Sequence, residues 1–79
     1  MSYLSRPDVA FEVISPRDTR SEIQSKRYEY ERNGVIQVWV DPKKRQVEVI
    51  SPTHGARTFG EGETAVIEEL PGFELSCFR

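Results

Sequence analysis

A single cysteine, Cys77, excludes an internal disulfide framework and any cysteine-built zinc site. A reducing cytoplasm is the compartment this predicts. No apolar run approaches the roughly 18 residues that span a bilayer, so no membrane partner is expected. The opening decapeptide, MSYLSRPDVA, has neither the basic start nor the long apolar stretch of a secretory signal. A basic surplus is also missing. The net charge of −2 disfavours a dedicated nucleic-acid binder, although an acidic enzyme can still act on DNA through a local basic cleft. There is no internal repeat and no low-complexity segment. Seventy-nine residues make one small domain at most, with a marginal core. What is present is a composition of 37% hydrophobic and 30% charged residues, which suits a folded domain and argues against disorder.

The order of elements is legible. Asp8 to Ile14 (DVAFEVI) is a β-prone run behind Pro7 and reads as a strand buried on both faces. Ser15-Pro16-Arg17-Asp18 breaks it. Thr19 with Glu22 fits a capping box, in which each side chain satisfies a free amide at a helix start. A polar helix follows to about Asn33, and Gly34 is placed to cap its end in the left-handed region. Val35 to Val40 (VIQVWV) is a second strand. Asp41 to Lys44 reads as a turn and Gln46 to Ile50 as an antiparallel return strand. His54-Gly55 marks a further turn, Arg57–Phe59 and Ala65–Glu68 read as short strands, and Leu70-Pro71-Gly72-Phe73 closes the chain. Strand, helix and strand make a βαβ unit with a right-handed crossover and parallel strands, so the fold class is α+β, a βαβ unit followed by antiparallel hairpins.

Within that unit one residue stands out chemically. Strand alternation puts Val9, Phe11 and Val13 on one face and Ala10, Glu12 and Ile14 on the other. Glu12 therefore sits between apolar neighbours on a face that should be covered, where a carboxylate must be paired, protonated or bound to metal. At about 100° per residue, Ile23, Lys26, Arg27 and Tyr30 share one side of the helix and Tyr28 lies nearly opposite. Ile23 and Tyr30 are the expected packing anchors, with Lys26 in their stripe. Two readings of the Glu12–Lys26 pair stay open at this point. One is a structural ion pair or a snorkelling lysine. The other is an acid that holds a divalent cation beside a lysine that stabilises charge on a phosphate.

Several short motifs bear on that choice. The run from Pro7 to Asp18, PDVAFEVISPRD, resembles the PDxxxEVxSPxD signature of the Uma-two family of bacterial restriction-endonuclease-like proteins. Lys26 and Tyr30 match its K-x-x-x-Y spacing in the following helix. Asn33-Gly34-Val35 resembles its A-G-V turn, and Val38-Trp39-Val40-Asp41-Pro42 its W-x-V-D-P-like strand end. Gly60-Glu61-Gly62-Glu63 and Leu70-Pro71-Gly72-Phe73 are similar to its late L-G-E-G-D and L-P-G-F pieces.

The resemblance implies a PD-(D/E)XK nuclease core, in which an aspartate on one strand and a glutamate on the next bind Mg²⁺ and water is activated against a phosphodiester of DNA. Glu12 matches the strand glutamate, the Val13 carbonyl the main-chain metal ligand, and Lys26 the lysine moved from the strand to the helix. The family's upstream aspartate has no counterpart in the 79 residues. Asp8 matches the second Pro-Asp element and stands roughly 13 Å along the strand from Glu12, too far to share one ion. The expectation is therefore a single partial restriction-endonuclease-like domain over residues 1–79, without a complete active site in one copy. The alternative is a catalytically inactive remnant serving dimerisation or protein interaction. An uncovered edge beside the Glu12 strand predicts a homo-oligomer or a complementary partner chain.

Other polar residues have plainer readings. His54 reads as an exposed turn residue, Lys43-Lys44-Arg45 as a solvated hairpin tip or a phosphate contact, Trp39 as core, and Glu68-Glu69 as solvated surface. Cys77 has no neighbouring base in sequence that would activate it.

Overall fold

The capping box forms as its spacing predicts. Thr19 Oγ1 accepts from the Glu22 amide at 3.2 Å, and Glu22 Oε1 accepts from the Thr19 amide at 2.9 Å. That bonding starts α1, Arg20–Arg32, in a computed structural model that describes residues 9–78. The helix ends on Asn33, and Gly34 takes φ +67°. Its amide reaches the Glu31 carbonyl at 3.2 Å and the Val35 amide reaches Tyr30 at 2.9 Å. These two bonds satisfy carbonyls that the helix end would otherwise leave free. Asp8 and the residues before it lie outside the described part.

The described residues add six strands to α1: β1 Val9–Val13, β2 Ile36–Asp41, β3 Gln46–Ser51, β4 Gly55–Phe59, β5 Thr64–Val66 and β6 Glu74–Ser76. The first four make one sheet in the order β1-β2-β3-β4, and β5 with β6 makes a second, two-stranded one. β1 and β2 are parallel, with Glu12 beside Trp39, and every other pairing is antiparallel. The fold is α+β. Parallel pairing of β1 and β2 follows from the helix-length connection between them. The Leu70–Phe73 segment does not close the chain as its turn residues suggested; it leads into β6.

Register sorts the residues of the large sheet between its faces. Val9, Ile36, Val38, Val47 and Val49 share one face and bury against Ala65, Ile67 and Cys77 from the β5–β6 side. This is the core, and the helix is not in it. α1 crosses the opposite face, and none of its residues is fully buried. Ile23, Arg27 and Tyr30 are its half-buried residues, at i, i+4 and i+7 as a helix stripe requires.

One expectation about burial is overturned. The Glu12 strand was read as covered on both faces, yet Phe11 is 56% and Val13 65% exposed. β1 is an edge strand with only β2 beside it among the described residues. The β5–β6 layer reaches Phe11 through Phe73, with ring centroids 5.9 Å apart. β2, flanked on both sides, buries Ile36 to Trp39 without a break. No helix among the described residues is long and apolar enough to cross a membrane.

Candidate active site

Glu12 projects from β1 toward α1, and the helix meets it with two donors. Lys26 Nζ lies 3.3 Å from Oε1, and the Tyr30 hydroxyl donates to Oε2. Lys26 and Tyr30 are four residues apart, so one helix face presents both. The Glu12 side chain is 20% exposed and that of Lys26 57%, so the carboxylate is sheltered while the ammonium faces solvent. The hydrogen bond to Glu12, then burial, then the Glu12 charge push the Tyr30 hydroxyl up to about 12. A neutral tyrosine donor is thereby held on the carboxylate throughout the physiological range.

The floor under this pair is Trp39, which is buried as expected but beneath the helix, outside the main core. Its indole donates to Gln37 Oε1 at 2.8 Å, which allows both polar groups to be buried without loss. The Tyr30 and Trp39 rings lie 6.5 Å apart between centroids. Arg27 caps the indole, its guanidinium carbon 4.8 Å from the ring centroid, and bonds Glu48 at 2.9 Å. Beside the pair opens a cleft of about 330 Å³ with Glu12, Asp18, Ser21, Glu22, Lys26 and Trp39 among its walls. Asp18 is already used, since its Oδ2 accepts the Ser15 amide at 2.8 Å. Glu22 serves the helix start, and the hydrogen bonds from Thr19 hold its carboxyl below the usual range.

The structure thus brings Glu12 and Lys26 together, with Tyr30 as a third member that sequence periodicity had placed only as a packing anchor. The signal for its role was its position one turn beyond Lys26 on the face turned to Glu12. Val13 sits differently. The Ile14 amide bonds the Val40 carbonyl at 2.8 Å, and in a trans peptide the Val13 carbonyl points the other way, to the outer edge of β1.

For a divalent cation such as Mg²⁺, which takes a near-octahedral set of oxygens, the described residues offer the Glu12 carboxylate and the Val13 carbonyl. Both Glu12 oxygens already accept hydrogen bonds. No group of three or more His, Cys, Asp or Glu side chains gathers among the described residues. This set does not fit Mg²⁺ by itself.

A second polar cluster went unread in the sequence. Glu69, expected on the solvated surface, is 20% exposed and accepts from Ser51, Thr53 and His54, the last at 3.1 Å. Burial would raise its carboxyl, but the hydrogen bonds from Ser51, Thr53 and His54 outweigh that and hold it at about 2. His54 is exposed as expected, yet it is tied to this carboxylate. Ser51 bonds Glu69 directly rather than through His54, so the three do not form a nucleophile–base–acid relay. The cluster ties the β3–β4 turn to the loop after β5. Only the tertiary fold brings residues 51 and 69 together.

The family model Uma2, described as "Putative restriction endonuclease", matches residues 2–77. No curated protein matches the chain. Among solved structures, "a putative nuclease belonging to DUF820" from Anabaena variabilis ATCC 29413 is similar at a TM-score of 0.71 and 21% identity. The match covers 92% of this chain and 42% of that one. At that identity the likeness shows a shared fold, and this chain spans less than half of the neighbour's length.

Proposed function

The chain belongs to the Uma2 family, described as "Putative restriction endonuclease", and from that premise we propose that its described residues supply the glutamate-and-lysine part of a DNA-hydrolysing site. The observation that carries this reading is Glu12 on β1, its two oxygens met by Lys26 and Tyr30, while the cleft's other described carboxylates, Asp18 and Glu22, hold the turn before α1 and the helix start. Phosphodiester hydrolysis builds negative charge on phosphate oxygens, and a positioned ammonium stabilises it. Lys26 has the exposure to reach a phosphate while its stem stays on the helix. Tyr30 orients the carboxylate. Mg²⁺ is the cofactor the family implies; among the described residues Glu12 and the Val13 carbonyl would be its ligands, and further oxygens must come from outside them.

The test uses plasmid DNA with Mg²⁺ or Mn²⁺ and a short labelled duplex. None of wild type, Glu12→Gln and Lys26→Ala is expected to nick the plasmid. On the duplex, Glu12→Gln should bind more tightly than wild type, because it removes a charge that repels phosphate and occupies Lys26; Lys26→Ala should bind more weakly. Robust wild-type nicking abolished by both substitutions would show a complete site and overturn the reading. Equal duplex binding by all three would remove Lys26 from it.

A second reading is favoured by the exposed Phe11 and Val13 on an edge strand. In it the domain is an interaction module, and the edge of β1 that no described strand covers pairs with a second copy about a two-fold axis.

A further inference from the structure

The basic turn Lys43-Lys44-Arg45 is divided by the fold. Asp41 Oδ1 accepts the amides of Lys43 and Lys44, both at 3.1 Å, which fixes the turn between β2 and β3. Arg45 then takes φ +52° and leaves the tip, bonding Glu61 at 2.8 and 3.2 Å and lying over the Phe78 ring. The two lysines go elsewhere. They line a groove of about 830 Å³ together with Arg20, from the first turn of α1, and Arg27. Residues 20 and 43–44 are far apart in sequence and meet only because α1 crosses the sheet beside this hairpin.

Charge in the groove is unbalanced despite the acidic whole. Four cations line it against three acids, Asp18, Asp41 and Glu48, which leaves a surplus of one positive charge, and each acid is held in place by a partner. Asp18 holds the Ser15 amide, Asp41 the two turn amides, and Glu48 the Arg27 guanidinium. Arg27 is thereby spent as well. Arg20, Lys43 and Lys44 form no ion pair among the described residues. The groove also runs into the Glu12 cleft, since Asp18, Ile23 and Trp39 line both.

We propose that this groove takes the phosphodiester backbone of duplex DNA leading away from the Glu12 cleft, with Lys43, Lys44 and Arg20 as its phosphate contacts. The inference rests on the nuclease reading and names where the substrate lies on the protein. Three cations drawn from two elements, α1 and the β2–β3 turn, and lining one open groove suit a row of phosphates better than one small anion, which would need them convergent. The net charge of −2 makes the rest of the surface a poor competitor.

Fluorescence anisotropy with a short duplex DNA over a salt series tests the proposal on wild type, Lys43→Ala/Lys44→Ala, and Arg32→Ala. Arg32 pairs with Glu29 in the last turn of α1, away from the groove, and serves as the control. Alanine keeps the two amides that Asp41 accepts, so the turn survives, which circular dichroism checks. Losing two phosphate contacts makes the plot of log K against log salt shallower by about 2; Arg32→Ala leaves it unchanged. Lys43→Glu/Lys44→Glu should abolish binding. An unchanged slope and affinity in the double alanine variant overturns the groove while leaving the Glu12 reading intact, provided Glu12→Gln still tightens binding. A wild type that binds no duplex at all sinks both.

Discussion

Replacing Glu12 by Gln should be read first at Tyr30, one hydrogen bond away. In wild type the tyrosine hydroxyl sits at about 12 against an ordinary 10, a hundredfold stronger hold on its proton. Two of the three causes, the hydrogen bond to the carboxylate and its charge, vanish in Glu12→Gln; burial remains. The tyrosinate midpoint should therefore fall most of the way to 10 and stop slightly above it. Tyr28, 61% exposed, and Tyr3 are removed as Phe in both proteins so that one phenol titrates, followed by ultraviolet absorbance. The linkage has a definite sign. A folded-state value above the unfolded one gives stability that is complete below pH 10 and lost as pH rises through about 12. At about 1.4 kcal/mol per tenfold change the ceiling is ~3 kcal/mol, and solvent screening of this half-open pair reduces it to ~1 kcal/mol. Denaturant midpoints at pH 9 to 11 should converge between the two proteins as pH rises, with circular dichroism confirming the fold. A tyrosinate midpoint identical in both proteins would refute the Tyr30–Glu12 hydrogen bond and with it the orientation of the carboxylate.

Two further outcomes test the rest of the molecule. Glu69, held at about 2, contributes stability that is present above 4.5 and lost as pH falls through about 2; Glu69→Gln should lower the melting temperature at pH 7 and flatten its decline in acid, and parallel acid-melting curves would contradict the Ser51–Thr53–His54 cluster. Wild type should self-associate at high concentration through β1, as measured by light scattering, and Val13→Lys should make it monomeric by placing a charge on the edge; a wild type that stays monomeric throughout removes the interaction reading.

Local chemistry was the readable part of this chain. Thr19 and Glu22 satisfy each other's amides across three residues, Gly34 alone tolerates the left-handed cap without strain, and Asp41 folds the turn on its own side chain; none of these needs the rest of the protein. Periodicity likewise placed Lys26 on the helix face that meets Glu12, because a helix crossing between parallel strands must turn that stripe to the sheet. Burial was harder to read. The DVAFEVI run looks like an interior strand, but a strand is covered only if its neighbours reach over it, and among the described residues β1 has β2 alone beside it, with Phe11 and Val13 exposed.

The sequence by itself determined the order and type of the elements from β1 to β5, though not β6, together with the parallel β1–β2 pair and the meeting of an acid with a lysine. These depend on near neighbours and on side-chain period, which are written along the chain. The tertiary structure alone decided which face of the sheet holds the core, that Tyr30 rather than solvent takes the second Glu12 oxygen, that Glu69 is sheltered under Ser51 and Thr53, and that Lys43 and Lys44 face a groove while Arg45 turns to Glu61. Each of these is a contact between residues distant in sequence, set by strand register and by where one layer stops covering the next. Neither quantity has a local signature.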